Sequence, residues 1–435
     1  MTEATKRFIR EHAEDDLQTL LLNASRYRDV DVKEAVVQIK ARKQIKVKLP
    51  KWYNDDRLVF PSTLAVEQCS SEITALYKQR LVKSEDWLCD LTGGLGIDAY
   101  FFSRKVKQVT FIEKNNACCM AASENLSMLG ATNIQFINDD AINMLRSCDE
   151  CMAGVNVFYV DPSRRSAGNR RLYAISDCEP DMMKIIALLP SRYRLIIKLS
   201  PMLDLAQLVS QIPSVCEVHV VSVKNECKEL LLVVACNSKQ LMRHSNQSDS
   251  VNEASSFATK MADDSSTIHT ALNPMIHCVN YPSDGTEESF SFRFLDERNA
   301  KAPISDKVGR FLYEPNASIL KAGAYKSVAW RYGVEKLHVS SHLYTSQEPV
   351  ITFPGRIFEI KDVLPFNNRL CNTISSSIPQ ANISVRNFPL SVAELQKRTR
   401  ISDGGNVFLY ATTLSNNQKV LIRCSKKCTV GVSYQ

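Results

Sequence analysis

The stretch that decides the fold is Trp87–Asp98, "WLCDLTGGLGID". It begins with the apolar run Trp87-Leu88-Cys89, reaches a carboxylate at Asp90, and turns through Gly93, Gly94 and Gly96. A short apolar strand followed by a glycine turn is where an α/β sheet lets a nucleotide-type cofactor approach backbone. From Gly94 the turn reads Gly94-Leu95-Gly96-Ile97-Asp98-Ala99, a dinucleotide-type G-x-G-x-x-A signature. Asp90 constrains the ligand further. A carboxylate at that strand end would face the pyrophosphate of NAD at an electrostatic cost. The sulfonium and ammonium of S-adenosylmethionine (SAM) reverse the sign. The glycines then bring backbone close to the methionine part of SAM, where a Cβ would collide.

Working outward, strand and helix signals alternate from about 85 to 236. Short apolar strands are predicted at Trp87–Cys89, Val109–Ile112, Ile134–Ile137, Val155–Val160, Tyr193–Leu199, Cys216–Val223 and Leu230–Ala235. Helical stretches separate the first six; Ala117–Leu129, for one, ends at Gly130, a natural C-cap. The gap "KNECKE" is too short for a crossover helix, so the last two strands form a hairpin. This predicts a mostly parallel Rossmann-like α/β sheet with an antiparallel last strand. Residues 1–80 read as a helical region in which Ser62 caps a stretch running to Val82. Residues 237–275 are Ser/Asn/Asp-rich and read as a flexible polar linker. Two small α+β units follow, 281–352 and 353–435. In the second, Ser391 and Glu394 form a capping box.

Carboxylates recur at the predicted strand ends. Glu113 ends the second strand and can accept both hydroxyls of a ribose. Asp139 and Asp140 follow the third; one can accept an adenine amino group, or they cap the helix "AINMLRS". Asp161-Pro162 ends the fourth, and Ser163, Arg164, Arg165, Arg170 and Arg171 follow in the same loop. Proline stiffens the corner, and a polar oxygen there can accept the proton of a base amine. The arginines suit phosphate or a stacked base. Lys198, Ser200 and Asp204 are expected to line the far side of the same cleft.

Composition bounds the class. With 44% hydrophobic and 23% charged residues over 435 positions, the chain is an ordinary multi-domain globular protein. Its longest apolar run, Leu230–Cys236, is far below the roughly 20 residues needed to span a bilayer. The mixed-charge start predicts no signal peptide and a cytoplasmic, membrane-free protein. Fourteen scattered cysteines then read as buried thiols rather than a disulfide framework. No metal site is expected, because the one CxxC, Cys148–Cys151, has no second ligand pair near it in sequence. Residues 353–435 carry eleven Lys/Arg against four Asp/Glu, and Lys40–Lys51 is a second basic run without acidic residues. Both patches point to a polyanionic partner.

Taken together, "DLTGGLGID", "FIEKN", "NDDA" and "DPSRR" resemble motifs I to IV of class I SAM-dependent methyltransferases. More narrowly, "EQCSSEITALYK", "DPSRRSAGNRR", "KLSPMLD", "NECKEL", "YEPNASILKAG" and "FPGRIFEI" resemble a bacterial family. Its members carry a methyltransferase domain, a ferredoxin-like unit and a C-terminal THUMP-like domain. The resemblance implies the methyltransferase sheet over 81–236, SAM as donor, and RNA (tRNA or rRNA) as substrate, since THUMP domains bind RNA. It implies that Asp90, Thr92, Gly93, Gly94 and Gly96 form the SAM turn. Glu113 would bind ribose, Asp140 or Asp139 adenine, and Asp161-Pro162 would be the catalytic corner. The departure is at Ser163 and Arg164, where amino-methylating relatives place a second proline and an aromatic. Alternatives stay open: an RNA binder without methylation activity, an enzyme acting on a protein or small molecule, or a dehydrogenase. Cys227 as a nucleophile for C5 methylation is a further one.

Overall fold

The computed structural model describes residues 1–147, 152–164, 175, 178–189, 192–212, 214–237 and 273–426. They fall into two compact units. The first holds the described residues of 1–216 and 231–237, the second those of 217–230 and 273–426.

The first unit begins with helices. The longest, α1 (Val32–Lys48), starts at Asp31, whose carboxylate accepts the Glu34 N–H. One stretch of predicted helix is broken in two, α2 (Thr63–Gln68) and α3 (Glu72–Gln79). Ser62 caps the first as expected. The break comes from Ser71, whose hydroxyl accepts the Thr74 N–H and so begins a new helix. Ala41 and Ile45 of α1 share a core with Trp52, Phe60, Val66 and Ala75. The same core takes in Leu95 and Ile97, which flank Gly96 of the glycine turn. Each such apolar side chain is worth roughly 1.5–3 kcal/mol when fully buried. The helical region is therefore the wall against which the turn is held.

The strands are β1 (Trp87–Asp90), β2 (Gln108–Ile112), β3 (Ile134–Ile137), β4 (Val157–Val160), β5 (Arg192–Leu199), β6 (Val215–Val223) and β7 (Glu226–Asn237). Each falls within a few residues of its predicted position. In the first unit the order is β7-β5-β4-β1-β2-β3. Strands β1 to β5 pair in parallel. Register places Asp90 opposite both Phe111 and Tyr159, so the strand ends line up. Strand β1 leads through its helix to β2 on one side, while β4 lies on its other side. That reversal opens a crevice beyond the strand ends. Helix α4 (Ile97–Ser103) starts from left-handed Gly96, and α5 (Asn116–Met128) starts at Asn115, whose amide oxygen accepts the Cys118 N–H.

The second unit holds the β6–β7 turn, Lys224-Asn225, with φ of 53° and 60°. Two successive left-handed residues make the tight hairpin that the short gap requires. Strand β8 (Met275–Tyr281) lies parallel to β6, and β9 (Glu288–Arg293) runs antiparallel to β8. The sequence reading ended this sheet at Ala235. A parallel partner arriving after a long intervening segment leaves no local signal. A second, seven-stranded sheet spans Phe311 to Lys426. The Ser391–Glu394 capping box is present on its helix Val392–Thr399. The linker expected at 237–275 lies almost wholly outside the described residues.

Candidate functional site

The crevice beyond β1, β2 and β4 is a cavity of about 280 Å³. Asp90, Thr92, Gly93, Gly94, Glu113, Asp139, Asp140, Asp161 and Ser163 all line it. Residues separated by more than seventy positions in the chain thus share one cleft.

Asp90 forms its floor. It is 1% exposed, and its Oδ1 accepts the Thr92 N–H at 3.0 Å. Burial pushes its carboxyl well above the usual range; Asp98, Asp161 and Glu113 add to the push, and the Thr92 bond opposes it. The site would welcome a cation beside Asp90. Thr92 also ties the turn to the β4 corner, because its Oγ1 accepts the Asp161 N–H at 2.7 Å. Glu113 reaches back to the glycine turn, accepting the Gly94 N–H at 2.8 Å and the Asn115 N–H at 2.7 Å.

The glycines divide by what surrounds them. A Cβ on Gly93 would lie 2.2 Å from the Phe111 ring, and one on Gly96 (φ +76°) 2.8 Å from Leu126. These two are required by packing inside the protein. Only Gly94 (φ +56°) has room around its Cβ position, with nothing nearer than 3.9 Å, and so stands as the turn's open backbone. Of the two aspartates after β3, Asp140 caps the helix Ala141–Ser147, accepting the Ile142 N–H at 2.9 Å. The capping alternative therefore holds for Asp140. Asp139 accepts the Asp140 N–H.

At the β4 corner, Asp161 Oδ2 accepts a charged hydrogen bond from Lys198 Nζ, at the end of β5. Pro162 follows, and Ser163-Arg164 pairs with Cys178-Glu179 in a two-residue ladder. Arg165, Arg170 and Arg171 lie outside the described residues, as does the Cys148–Cys151 pair.

Several cleft residues escaped the sequence reading. The break between α2 and α3 delivers Gln68, Cys69 and Ser70 to the cavity. Ser70 Oγ donates to Asp98 at 2.9 Å, Tyr159 hydroxyl donates to it at 2.6 Å, and Lys78 Nζ lies 3.2 Å away. Lys78 is wholly buried. Burial alone would raise the Asp98 carboxyl; Lys78 and Lys198, then the Tyr159 and Ser70 bonds, more than offset it, and the net is lowered. The local signal was Ser71, a helix cap in the middle of an apparently continuous helix. Cys69 is no thiolate nucleophile, since burial pushes it up to about 11. The same holds for Cys227, also about 11 through burial.

The basic patches are partly spent inside the fold. Arg42 is buried and donates to the carbonyls of Tyr53, Asp55 and Leu58. Lys48 donates to the carbonyls of Val66 and Cys69, bracing the break that shapes the cleft. In the second unit Arg356 and Arg386 both bind Glu314, a carboxylate only 2% exposed that also accepts from Tyr410 hydroxyl.

A strand order reversing at β1, with carboxylates at successive strand ends around one cleft, defines a protein of the Rossmann-like methyltransferase class. The chain belongs to the family of the "putative methyltransferase" of Porphyromonas gingivalis W83. It is 33% identical to that protein over 97% of both chains, with a TM-score of 0.78. Residues 79–170 match the family described as conserved hypothetical protein 95, 311–354 a ferredoxin-like domain, and 355–426 a THUMP domain-like family. An rRNA methylase of Streptococcus thermophilus is 18% identical over 39% of this chain and 99% of its own, with a TM-score of 0.28. A "putative methyltransferase" of Streptococcus mutans in complex with SAH is 15% identical over 38% and 96%, also at 0.28. No curated protein matches the chain. Among the described residues, no helix is long and apolar enough to cross a membrane.

Proposed function

We propose that this chain is a SAM-dependent methyltransferase that modifies a base of tRNA or rRNA. The observation that carries the reading is the single cleft holding buried Asp90, Glu113 and Asp161. The donor set fits SAM: a buried carboxylate in the turn that, among the described residues, has no ion-pair partner, an open glycine at Gly94, and a carboxylate at the next strand end. In this reading Asp90 faces the cationic methionine end. Thr92, Gly93, Gly94 and Gly96 make the turn, Glu113 takes the ribose hydroxyls, and Asp139 the adenine amino group. SAM would bring a methyl already activated on sulfur, so the protein's task is mainly in-line placement of the acceptor. Asp161 and Pro162 form the corner that receives it, with Lys198 fixing the carboxylate and Ser163, Arg164 and Arg165 following in sequence.

RNA is favoured by the THUMP domain-like match over 355–426 and by the excess of Lys/Arg in 353–435. Residues 353–435 act in this reading as the RNA-binding domain and 281–352 as the ferredoxin-like unit, with the methyltransferase domain at 81–236. In this reading the enzyme acts in the cytoplasm.

The test is transfer of label from methyl-labelled SAM to total RNA from cells lacking the protein, with wild type and Asp161→Ala compared. Label confined to one RNA size class and lost in the variant is expected. No label in RNA, with SAM binding intact, would overturn the RNA assignment and turn attention to protein or small-molecule acceptors.

A further inference from the structure

The second unit contains a cluster that the methyl-transfer reading leaves unused. Glu217 and His219 are two apart on β6, so their side chains emerge on one face. On the adjacent parallel strand β8, His277 is the register partner of His219. On β9, Ser291 is the register partner of His277. The cluster therefore gathers side chains from three neighbouring strands. Its sequence positions are split by the segment between β7 and β8, which is why no spacing motif announced it.

The geometry is close. His219 Nε2 lies 3.2 Å from Glu217 Oε2. The two imidazole rings stack at 4.6 Å between centroids, inclined by 15°. One ligand atom from each of Glu217, His219 and His277 lies within 4.8 Å of the others. His277 Nδ1 is 2.9 Å from Ser291 Oγ, which leaves Nε2 as that ring's outward nitrogen. His219 is 5% exposed, whereas Glu217 and His277 are half-buried, so the cluster has a shielded base and an open side.

From this juxtaposition we propose that Glu217, His219 and His277 form a binding site for a divalent transition metal of the zinc class. Two imidazoles and one carboxylate are a recurrent zinc donor set, with one position left for water or a further donor. Imidazole donors also select against magnesium and calcium. Ser291 supplies the outer-shell hydrogen bond that fixes a ligating histidine's ring. Tetrahedral donors at about 2.0–2.1 Å from zinc lie roughly 3.4 Å apart. Glu217 and His219 already meet that spacing, and the remaining gap closes by a side-chain movement on the order of 1 Å with some rotation of the stacked rings. Bound there, the ion clips β6 to β8 and pins the strand that follows the long intervening segment back onto the hairpin.

The test uses the full chain, stripped with chelator and titrated with Zn²⁺ or Co²⁺ by calorimetry and visible absorption. Cysteines are the competing ligands, so the Cys148→Ser/Cys151→Ser variant is titrated in parallel. The expected result is one ion per chain, Co²⁺ d–d bands without a thiolate charge-transfer band, and a zinc-dependent rise in Tm. Glu217→Gln and His277→Gln, both at half-buried positions, should each weaken binding at least tenfold, while the cysteine variant binds as wild type. No stoichiometric ion in the wild type would overturn the proposal. So would an ion unaffected by Glu217→Gln and His277→Gln but lost with the cysteines.

Discussion

Lys198 at the end of β5 donates a charged hydrogen bond to the carboxylate of Asp161 at the end of β4. The two are register neighbours' successors, since Val160 pairs with Ile197 one residue earlier on each strand. Lys198 is 13% and Asp161 33% exposed at the side chain, and Asp161 lines the cleft. The lysine restricts where the Asp161 oxygens point. Asp161 is thus an oriented acceptor rather than a free base.

If that orientation matters, Lys198→Met should leave SAM affinity within a few-fold and lower kcat for methyl transfer by about 100-fold, the scale of a misplaced reacting group. Lys198→Arg should recover part of it. Equal loss in SAM binding and turnover would place Lys198 in the cofactor site instead.

In the proposed reading, Asp90 links cofactor binding to protons. Its carboxyl is raised by burial. A raised acid contributes most to apo stability below its ordinary value, and that contribution is lost as pH rises through the raised value. A bound cation favours the ionised form, so SAM binding should release protons and tighten as pH rises. Calorimetry in buffers of different ionisation enthalpy measures the release. Asp90→Asn should abolish it, weaken SAM at least tenfold, and leave the apo Tm unchanged or higher.

The glycine turn gives a contrast. Gly93→Ala forces a methyl onto the Phe111 ring, with an expected cost of about 1–3 kcal/mol. Gly94→Ala meets only the Thr92 carbonyl oxygen at 3.9 Å but must hold φ +56°, at a position that lines the cleft. It should cost about 1 kcal/mol of stability and a larger share of SAM affinity. Paired denaturation and binding curves for the two variants check the split.

Wholly buried Lys78 pairs with Asp98, whose side chain is 10% exposed and lines the cleft. Asp98→Asn leaves the Lys78 ammonium without its carboxylate, and loss of about 3–5 kcal/mol is expected. Because the Asp98 carboxyl is lowered in the fold, its contribution is present above the ordinary value of 3.8 and disappears as pH falls through the lowered one. Urea denaturation of wild type and variant between pH 7 and strongly acid conditions should show the two curves converging at the acid end.

Much of this architecture was legible one residue at a time. Apolar runs of strand length, glycine after Asp90, and carboxylates closing successive strands all report local chemistry. Each predicted strand from Trp87 to Ala235 is present because period and length are properties of the chain alone. The caps at Ser62 and Ser391 were equally local. What remained hidden depended on partners. Whether Gly93 serves a ligand or a neighbour is decided by the Phe111 ring, a strand away. Whether Arg42 or Arg356 belongs to a binding surface is decided by the carbonyls and the buried Glu314 that claim them.

The sequence by itself determined the order of strands and helices, the glycine turn and the carboxylates at the strand ends, because these follow from spacing and local conformational preference. The tertiary structure alone decided that Ser70, Lys78, Asp98 and Tyr159 meet beneath the turn, that Lys198 holds Asp161, and that His219 stacks on His277. Those contacts join residues far apart in the chain. Their energy comes from desolvating charges and rings against one another, and that is defined only once the strands are side by side.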